Sequence, residues 1–175
     1  MYDVAITFRQ FPLHPDTPDE GLTLEQLFAG RNFDLDASQR KMAELMRQEG
    51  LTYGQRSMTY NSRLAQELAC WADLQADGGG IHDALFQAYF VDNVNLALVD
   101  NLAAIAASIG LDEAAARDAL ETRAMQKTVD DDWRRSRTLG ITGVPTFVCD
   151  GRIAVGAQPF EAIEQLVVAA GATRR

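Results

Sequence analysis

Residues 140–155 are the most informative segment for the fold and read Gly140-Ile141-Thr142-Gly143-Val144-Pro145-Thr146-Phe147-Val148-Cys149, then Asp150-Gly151, then Arg152-Ile153-Ala154-Val155. Two short runs of β-branched and aromatic residues flank Asp150-Gly151, the preferred pair for a two-residue type I′ turn. This pattern predicts a β-hairpin. Pro145 stands just before the first strand, where it removes one ladder donor, and general frequencies favour a trans Val144–Pro145 bond.

The segments on either side of the hairpin extend the α/β pattern. Downstream, Pro159 is well placed as a first helical residue, and an apolar stripe over 160–170 ends at Gly171. Near the start of the chain, the alternation over residues 3–9 predicts a β-strand that two prolines terminate. The apolar members of that strand are Val4, Ile6 and Phe8.

Residues 23–139 show the spacing of a long block of helices. The clearest apolar run is Leu98, Leu102, Ile105 and Ile109. Asn61 and Asp112 are predicted helix caps, and the triplet Gly78-Gly79-Gly80 is a predicted break. In the last helix of the block, Asp130-Asp131-Asp132 precede three arginines, an order that suits the helix dipole. We interpret these carboxylates as a solvated helix face, because consecutive helical residues point in different directions.

Composition limits the function classes. The chain has 175 residues, a formal net charge of −9 and two cysteines. That length suits one domain, and the negative charge disfavours nucleic acid or a membrane surface as a partner. Two cysteines that form no CxxC exclude a disulfide scaffold and a zinc cluster. Because the sequence shows neither a signal peptide nor a long apolar stretch, we expect a cytoplasmic protein.

Four further segments accompany the 140–159 stretch in a fixed order: Phe8–Pro15, Asn61–Ala65, Leu85–Phe90 and Ile109–Asp112. Together they resemble the DsbA-like branch of the thioredoxin superfamily, and its FrnE-like members most. The 140–159 stretch is similar to the cis-proline loop and closing ββα unit of that branch. The resemblance implies one thioredoxin-like α/β domain over 1–175. Its sheet part would comprise 1–22 and 140–175, and residues 23–139 would form a large helical insertion.

The resemblance also implies where a substrate binds. In this family the cis-proline loop offers backbone hydrogen bonds to an extended thiol substrate, which is a form of strand addition. Gly143, Val144, Pro145 and Thr146 are therefore the expected substrate-binding residues. The implied partner is a thiol-containing protein or small molecule, and the implied activity is thiol–disulfide oxidoreduction.

The catalytic part of the family pattern has no counterpart in the sequence. Members carry a CxxC dithiol where a first strand meets its helix, but only Met1 and Tyr2 precede the strand predicted here. Neither Cys70 nor Cys149 replaces the dithiol by spacing. We therefore expect an N-terminally truncated fold that is inactive as this chain and has no catalytic residues. The favoured explanation is a protein that begins upstream.

A missing central strand would leave unpaired backbone groups in the sheet. Besides an upstream segment, two repairs are open: the halves of the sheet pair directly, or a second copy covers the gap. The last option predicts a homodimer.

Two alternative functions remain open. A glutathione-dependent relative, resembling 2-hydroxychromene-2-carboxylate isomerase or the kappa-class glutathione transferases, would share the architecture and use glutathione. The loop Gly156-Ala157-Gln158-Pro159 lacks the Ser-Asp pair of those relatives, which disfavours this hypothesis. The other alternative is a non-catalytic binding or dimerisation module. No metal or resident cofactor is expected.

The remaining chemically active side chains are interpreted as structural. Cys149 is expected to pack inertly in a buried strand, and Cys70 lies off the apolar stripe of its helix. His14 and His82 are expected at the surface or at helix caps, since neither has a triad or metal partner at a suitable spacing.

Overall fold

The computed structural model describes residues 2–174, and its architecture is mixed α/β. It divides into two compact units. We call His14–Val129 the helical unit, and Met1–Leu13 with Asp130–Arg175 the hairpin unit. The elements in chain order are β1 (Leu22–Thr23), α1 (Leu24–Leu27), α2 (Leu35–Gln48), β2 (Met58–Thr59), α3 (Arg63–Ala72), a 3₁₀ turn (Gly78–Gly80), α4 (Ile81–Phe90), α5 (Val99–Ser108), α6 (Glu113–Glu121), α7 (Gln126–Thr138), β3 (Thr146–Cys149), β4 (Arg152–Val155) and α8 (Phe160–Ala169).

Side chains cap the first N–H groups of α1, α2 and α6. Thr23 and Gln26 form a reciprocal capping box on α1. The predicted cap Asp112 is confirmed, since its carboxylate accepts the Ala115 N–H at 2.8 Å. Asn61 lies one residue earlier than predicted for a cap, because Ser62 is the N-cap of α3. The Asn61 side chain still accepts the Arg63 N–H.

The hydrophobic core lies in the helical unit, where α3, α4, α5 and α6 pack together. Every apolar side chain that is buried in residues 2–174 belongs to this unit. Leu102 of the predicted stripe is fully buried, whereas Leu98 is exposed because the helix begins only at Val99. Leu68, Ile81, Leu102 and Leu120 are the largest apolar side chains at its centre.

A short antiparallel ladder joins β1 to β2 in the helical unit. Leu22 pairs with Thr59, and Thr23 pairs with Met58. The sequence analysis did not predict this ladder, because strands of two residues are too short to show a period-2 pattern.

The predicted hairpin is confirmed. β3 and β4 pair antiparallel from Thr146 opposite Val155 to Cys149 opposite Arg152. Asp150 and Gly151 have φ values of 47° and 73°, the left-handed backbone that both central residues of a type I′ turn require. α8 follows with Pro159 as its N-cap and packs on the hairpin.

The strand predicted at residues 3–9 is wrong. Residues 3–12 contain no helix, turn or bend, and the nearest pairing is a single antiparallel bridge between Tyr2 and Arg174. The alternation favours a strand, but a strand needs a neighbour for its N–H and C=O groups. Within residues 2–174, β3 pairs only with β4, so the two halves of the expected sheet do not pair directly.

The resemblance implies boundaries between the ranges 1–22, 23–139 and 140–175. The two compact units have their boundaries after Leu13 and after Val129 instead. Residues 14–22 belong to the helical unit, where Asn61 holds the Thr17 carbonyl and Asn95 holds the Asp19 carbonyl. Residues 130–139 belong to the hairpin unit, where Asp132 binds the segment at 9–10.

None of the helices among the described residues is both long enough and apolar enough to cross a bilayer.

Candidate functional site

The loop expected to bind substrate leads directly into β3. The Val144–Pro145 peptide bond is cis. The Thr146 hydroxyl donates to the Gly143 carbonyl at 2.7 Å, and the Gly156 N–H donates to the Pro145 carbonyl at 2.8 Å. These two hydrogen bonds attach both ends of the loop to the hairpin. The four expected residues therefore form one ordered turn.

Exposure differs along this loop. Gly143 and Thr146 are half-buried, whereas Pro145 is exposed and the Val144 side chain is 50% exposed. The Val144 side chain is thus the apolar group that a molecule lying along the loop would meet first.

The edge of β3 that faces away from β4 is open. In the described part of the chain, no third strand joins the hairpin. An open strand edge presents unpaired N–H and C=O groups in a row, which is the feature that extended peptides bind by strand addition. The loop leads directly into this strand edge.

The hairpin has no fully buried residue, even though α8 packs on it. No residue of β3, β4 or α8 is buried, although these elements are rich in apolar side chains. The exposed large side chains of the two strands are Phe147, Val148, Ile153 and Val155.

Neither Cys70 nor Cys149 forms a disulfide within residues 2–174. Cys149 ends β3 and is half-buried, which corrects the expectation of a buried side chain. The reason is that no residue of β3, β4 or α8 is fully covered. Cys70 lies on α3 in the helical unit and is also half-buried. Residues 2–174 hold no group of three or more His, Cys, Asp or Glu side chains that suits a metal ion.

Asp132 departs from the expected solvated face of α7. It is only 5% exposed and accepts hydrogen bonds from the Arg9 guanidinium at 3.2 Å and the Gln10 N–H at 3.0 Å. Asp131 follows the expected pattern, since it is partly exposed and pairs with Arg134. The sequence could not separate the two, because the partner of Asp132 lies more than a hundred residues away.

A second polar cluster holds the other end of the same segment. The Tyr2 hydroxyl donates to Glu164 at 2.7 Å, and Arg174 donates to both Tyr2 and Glu164. The Tyr2 hydroxyl and the Arg174 guanidinium lower the pKa of Glu164. These contacts join α8 to the start of the chain.

The histidines take structural positions. His14 has a φ of 52°, and its carbonyl accepts both the N–H and the hydroxyl of Thr17 in a tight turn. His82 lies 3.1 Å from the Asp73 carboxylate beside the glycine triplet.

Comparison with known proteins agrees with the fold described above. The model of the DSBA-like thioredoxin domain matches residues 1–168. A Streptomyces coelicolor structure, described as a probable DsbA oxidoreductase, superimposes with a TM-score of 0.84 at 26% identity; the match covers 93% of this chain and 73% of that one. A Nitrosomonas europaea protein whose suggested role is protein disulfide isomerase has the same fold, with a TM-score of 0.58 at 14% identity and coverage of 83% and 85%.

Among curated proteins, the uncharacterized protein YwbO of Bacillus subtilis (strain 168) is 32% identical over 84 residues. That match covers 47% of this chain and only 42% of YwbO. The family match extends over nearly the whole chain and includes the loop, the hairpin and the helical unit. The chain therefore belongs to the DSBA-like thioredoxin domain family.

Proposed function

We propose that this chain serves thiol–disulfide exchange as the substrate-binding part of a FrnE-like oxidoreductase. The observation that carries the proposal is the open edge of β3, which begins at the half-exposed Val144. Gly143, Val144, Pro145 and Thr146 would receive a thiol-containing protein or small molecule. Family membership supports the thiol chemistry of that substrate.

Binding would proceed by strand addition. An extended substrate would pair its backbone with the open edge of β3, while its side chains contact Val144 and the hairpin face. The Thr146 hydroxyl is already bonded to the Gly143 carbonyl, so it would hold the loop in shape instead of binding substrate. Such a preformed loop lowers the ordering cost of binding.

The redox step needs groups that this chain does not supply. In disulfide exchange, a thiolate attacks one sulfur of a substrate disulfide, forms a mixed disulfide and releases the other sulfur as a thiolate. A neighbouring thiolate then attacks the mixed disulfide and displaces the remaining substrate thiolate. The sequence has no CxxC, and Cys70 and Cys149 belong to different units. We therefore propose that the chain by itself binds substrates but does not oxidise or reduce them.

The alternatives make different use of the same surface. A non-catalytic binding module would also use the open edge. A glutathione-dependent enzyme would need polar groups after the hairpin, but the Gln158 amide donates to the Val155 carbonyl of β4.

We propose no resident cofactor. We further propose a reducing, cytoplasmic compartment, which is supported by two cysteines that form no disulfide within residues 2–174. We also propose a homodimeric state, which the exposed apolar surface of the hairpin unit supports.

The test is a nuclear magnetic resonance titration of the ¹⁵N-labelled chain with an unstructured peptide that carries an S-methylated cysteine. We expect the amide signals of 144–148 to shift. Val144→Asp should weaken binding about tenfold, the effect of losing roughly 1.4 kcal/mol of apolar contact.

Val168→Asp is the matched control, because Val168 on α8 is 48% exposed, close to the 50% of Val144. It should leave the peptide affinity unchanged. Equal losses of peptide affinity in both variants would overturn the loop as the binding site. Amide signal shifts that do not include residues 144–148 would also overturn it. If glutathione shifts these amide signals and the peptide does not, the glutathione-dependent alternative would be favoured over a protein substrate.

A further inference from the structure

A cavity of about 410 Å³ lies in the helical unit, between α2 and the segment that precedes β2. Residues of α2 form one wall, and residues 53–55 form the other. The volume falls within the range of about 300–1,000 Å³ that is usual for small-molecule sites. No residue of the 143–146 loop lines this cavity, so it is not part of the proposed thiol-substrate site.

The wall opposite α2 is held in place from two sides. The Gly54 N–H donates to the Phe90 carbonyl at 2.9 Å, at the end of α4. A Cβ on Gly54 would clash with the Val91 carbonyl, so this close approach requires glycine. The Arg56 N–H donates to the Gln39 Oε1 atom at 3.0 Å, which ties the segment to α2. Because the cavity is already formed, a ligand would bind with a low ordering cost.

Two opposite charges on α2 line the cavity. Asp36 and Arg40 are four residues apart on the helix, a spacing at which an acid and a base can pair. In the part of the chain that the structure describes, neither side chain forms an ion pair. On the same helix, Glu44 and Arg47 do pair. The cavity therefore contains one cation and one anion that the chain itself does not neutralise.

The other lining groups complement these charges. Because the Gln39 Oε1 atom accepts the Arg56 N–H, the amide nitrogen of Gln39 remains as a hydrogen-bond donor. The Tyr53 ring stacks on Phe90, with 6.5 Å between the ring centroids, and it provides apolar surface together with Ala43. Donors for a carboxylate, an acceptor for an ammonium group and a short apolar wall thus line one cavity.

We propose that this cavity binds a zwitterion of dipeptide length, with its carboxylate on Arg40 and Gln39 and its ammonium group on Asp36. Residues four apart on a helix are separated by about 6 Å along the axis. Two extended residues span at most about 7 Å, so the termini of a dipeptide match this separation. A free amino acid carries both charges on one carbon atom and is too short to reach both side chains.

The charge of the helical unit favours a zwitterion over a simple anion. The unit carries eighteen acidic and nine basic residues. This excess of negative charge opposes the approach of an anion, whereas a zwitterion has no net charge to repel. A simple cation would leave the Arg40 guanidinium without a partner. A ligand with both charges neutralises both side chains of the cavity.

The test is a nuclear magnetic resonance titration of the ¹⁵N-labelled full chain with L-alanyl-L-alanine. We expect saturating shifts of the amide signals of 36–40 and 53–55, with a Kd on the order of 1 mM for a ligand of this size. Free L-alanine should bind about fivefold more weakly, because it reaches only one charge. If the dipeptide gives no saturating shifts at these residues, the proposal is overturned, whatever happens at 144–148.

Two analogues separate the charges of the ligand. N-acetyl-L-alanyl-L-alanine lacks the ammonium group, and L-alanyl-L-alanine amide lacks the carboxylate. Each should bind about fivefold more weakly than the dipeptide, the effect of losing one ion pair that is open to water. An analogue that binds as tightly as the dipeptide would overturn the assignment of two charged ends.

Substitutions separate the charges of the cavity. Asp36→Asn should weaken the dipeptide about fivefold and remove its advantage over the N-acetyl analogue. Arg40→Gln should have the same effect relative to the amide. Both side chains are exposed, so both variants should keep the fold.

Lys41→Gln is the matched control, because Lys41 is also exposed on α2 but does not line the cavity. It should leave the affinity for the dipeptide unchanged. Equal losses in Lys41→Gln and Arg40→Gln would show a general effect of charge and overturn the site.

Discussion

Glu67 on α3 shows what a single residue contributes to the helical unit. Its side chain is 1% exposed, and Arg123 donates two hydrogen bonds to it at 2.6 and 2.8 Å. Arg63, one turn earlier on the same helix, donates a third at 2.6 Å. Burial by itself raises the pKa of Glu67, but the hydrogen bonds from the two arginines together hold that pKa below its usual value. The carboxylate therefore stays ionised inside the unit.

We predict that Glu67→Gln lowers the free energy of unfolding at pH 7 by about 2 kcal/mol, less than the 3–5 kcal/mol lost when a fully buried pair is broken, because water reaches Arg123. A depressed pKa in the folded state stabilises the protein above the unfolded pKa of about 4.3. That contribution disappears as pH falls through the lower folded pKa. Urea unfolding at several pH values should show the difference between the two proteins shrinking below about pH 4.

Glu44→Gln is the control for this prediction. Glu44 also accepts two hydrogen bonds from an arginine, Arg47, but both side chains are exposed on α2. The unfolding midpoint of the Glu44→Gln variant should match that of the unmodified chain. A similar loss in both variants would contradict a specific role of burial at Glu67.

At the scale of an element, the Gly78–Gly80 turn connects α3 to α4 by close backbone contact. A Cβ on Gly78 would clash with the Ala72 carbonyl, which belongs to the backbone of α3. A Cβ on Gly79 would meet nothing. In the triplet predicted as a helix break, Gly78 therefore lies against the backbone of α3, whereas Gly79 has space for a side chain.

We predict that Gly78→Ala destabilises the chain by about 1–3 kcal/mol, because a backbone carbonyl cannot move aside as a flexible side chain can. Thermal unfolding followed by circular dichroism measures the loss. Gly79→Ala should be neutral, or stabilising by about 0.5 kcal/mol through the entropy of the unfolded chain. If Gly79→Ala costs as much as Gly78→Ala, the close contact is not the cause.

At the scale of the whole molecule, charge and apolar surface are distributed unequally. The helical unit carries eighteen acidic and nine basic residues, whereas the hairpin unit is balanced. The buried apolar core of residues 2–174 lies in the helical unit, and most of the exposed large apolar side chains lie in the hairpin unit. The proposed substrate-binding loop therefore lies in the unit that has more of the exposed large apolar side chains.

We predict that the 175-residue chain shows no reduction of insulin disulfides above background, because its sequence has no CxxC pair to complete the exchange. Turbidity of insulin in the presence of dithiothreitol measures this activity. Cys70→Ser and Cys149→Ser should leave the background unchanged. An activity that either substitution abolishes would show that a single thiol of this chain reacts with disulfides.

The hairpin, its turn, the helix cap at Asp112 and the family could be predicted from the sequence. These features are local: the φ values at Asp150 and Gly151 and the cap at Asp112 depend on residues within a few positions. Only the tertiary structure decided that residues 3–9 form no ladder, that Asp132 is buried and that Glu67 binds two arginines. Each of these outcomes depends on a partner distant in the chain, and an alternation of apolar residues does not reveal whether that partner is present.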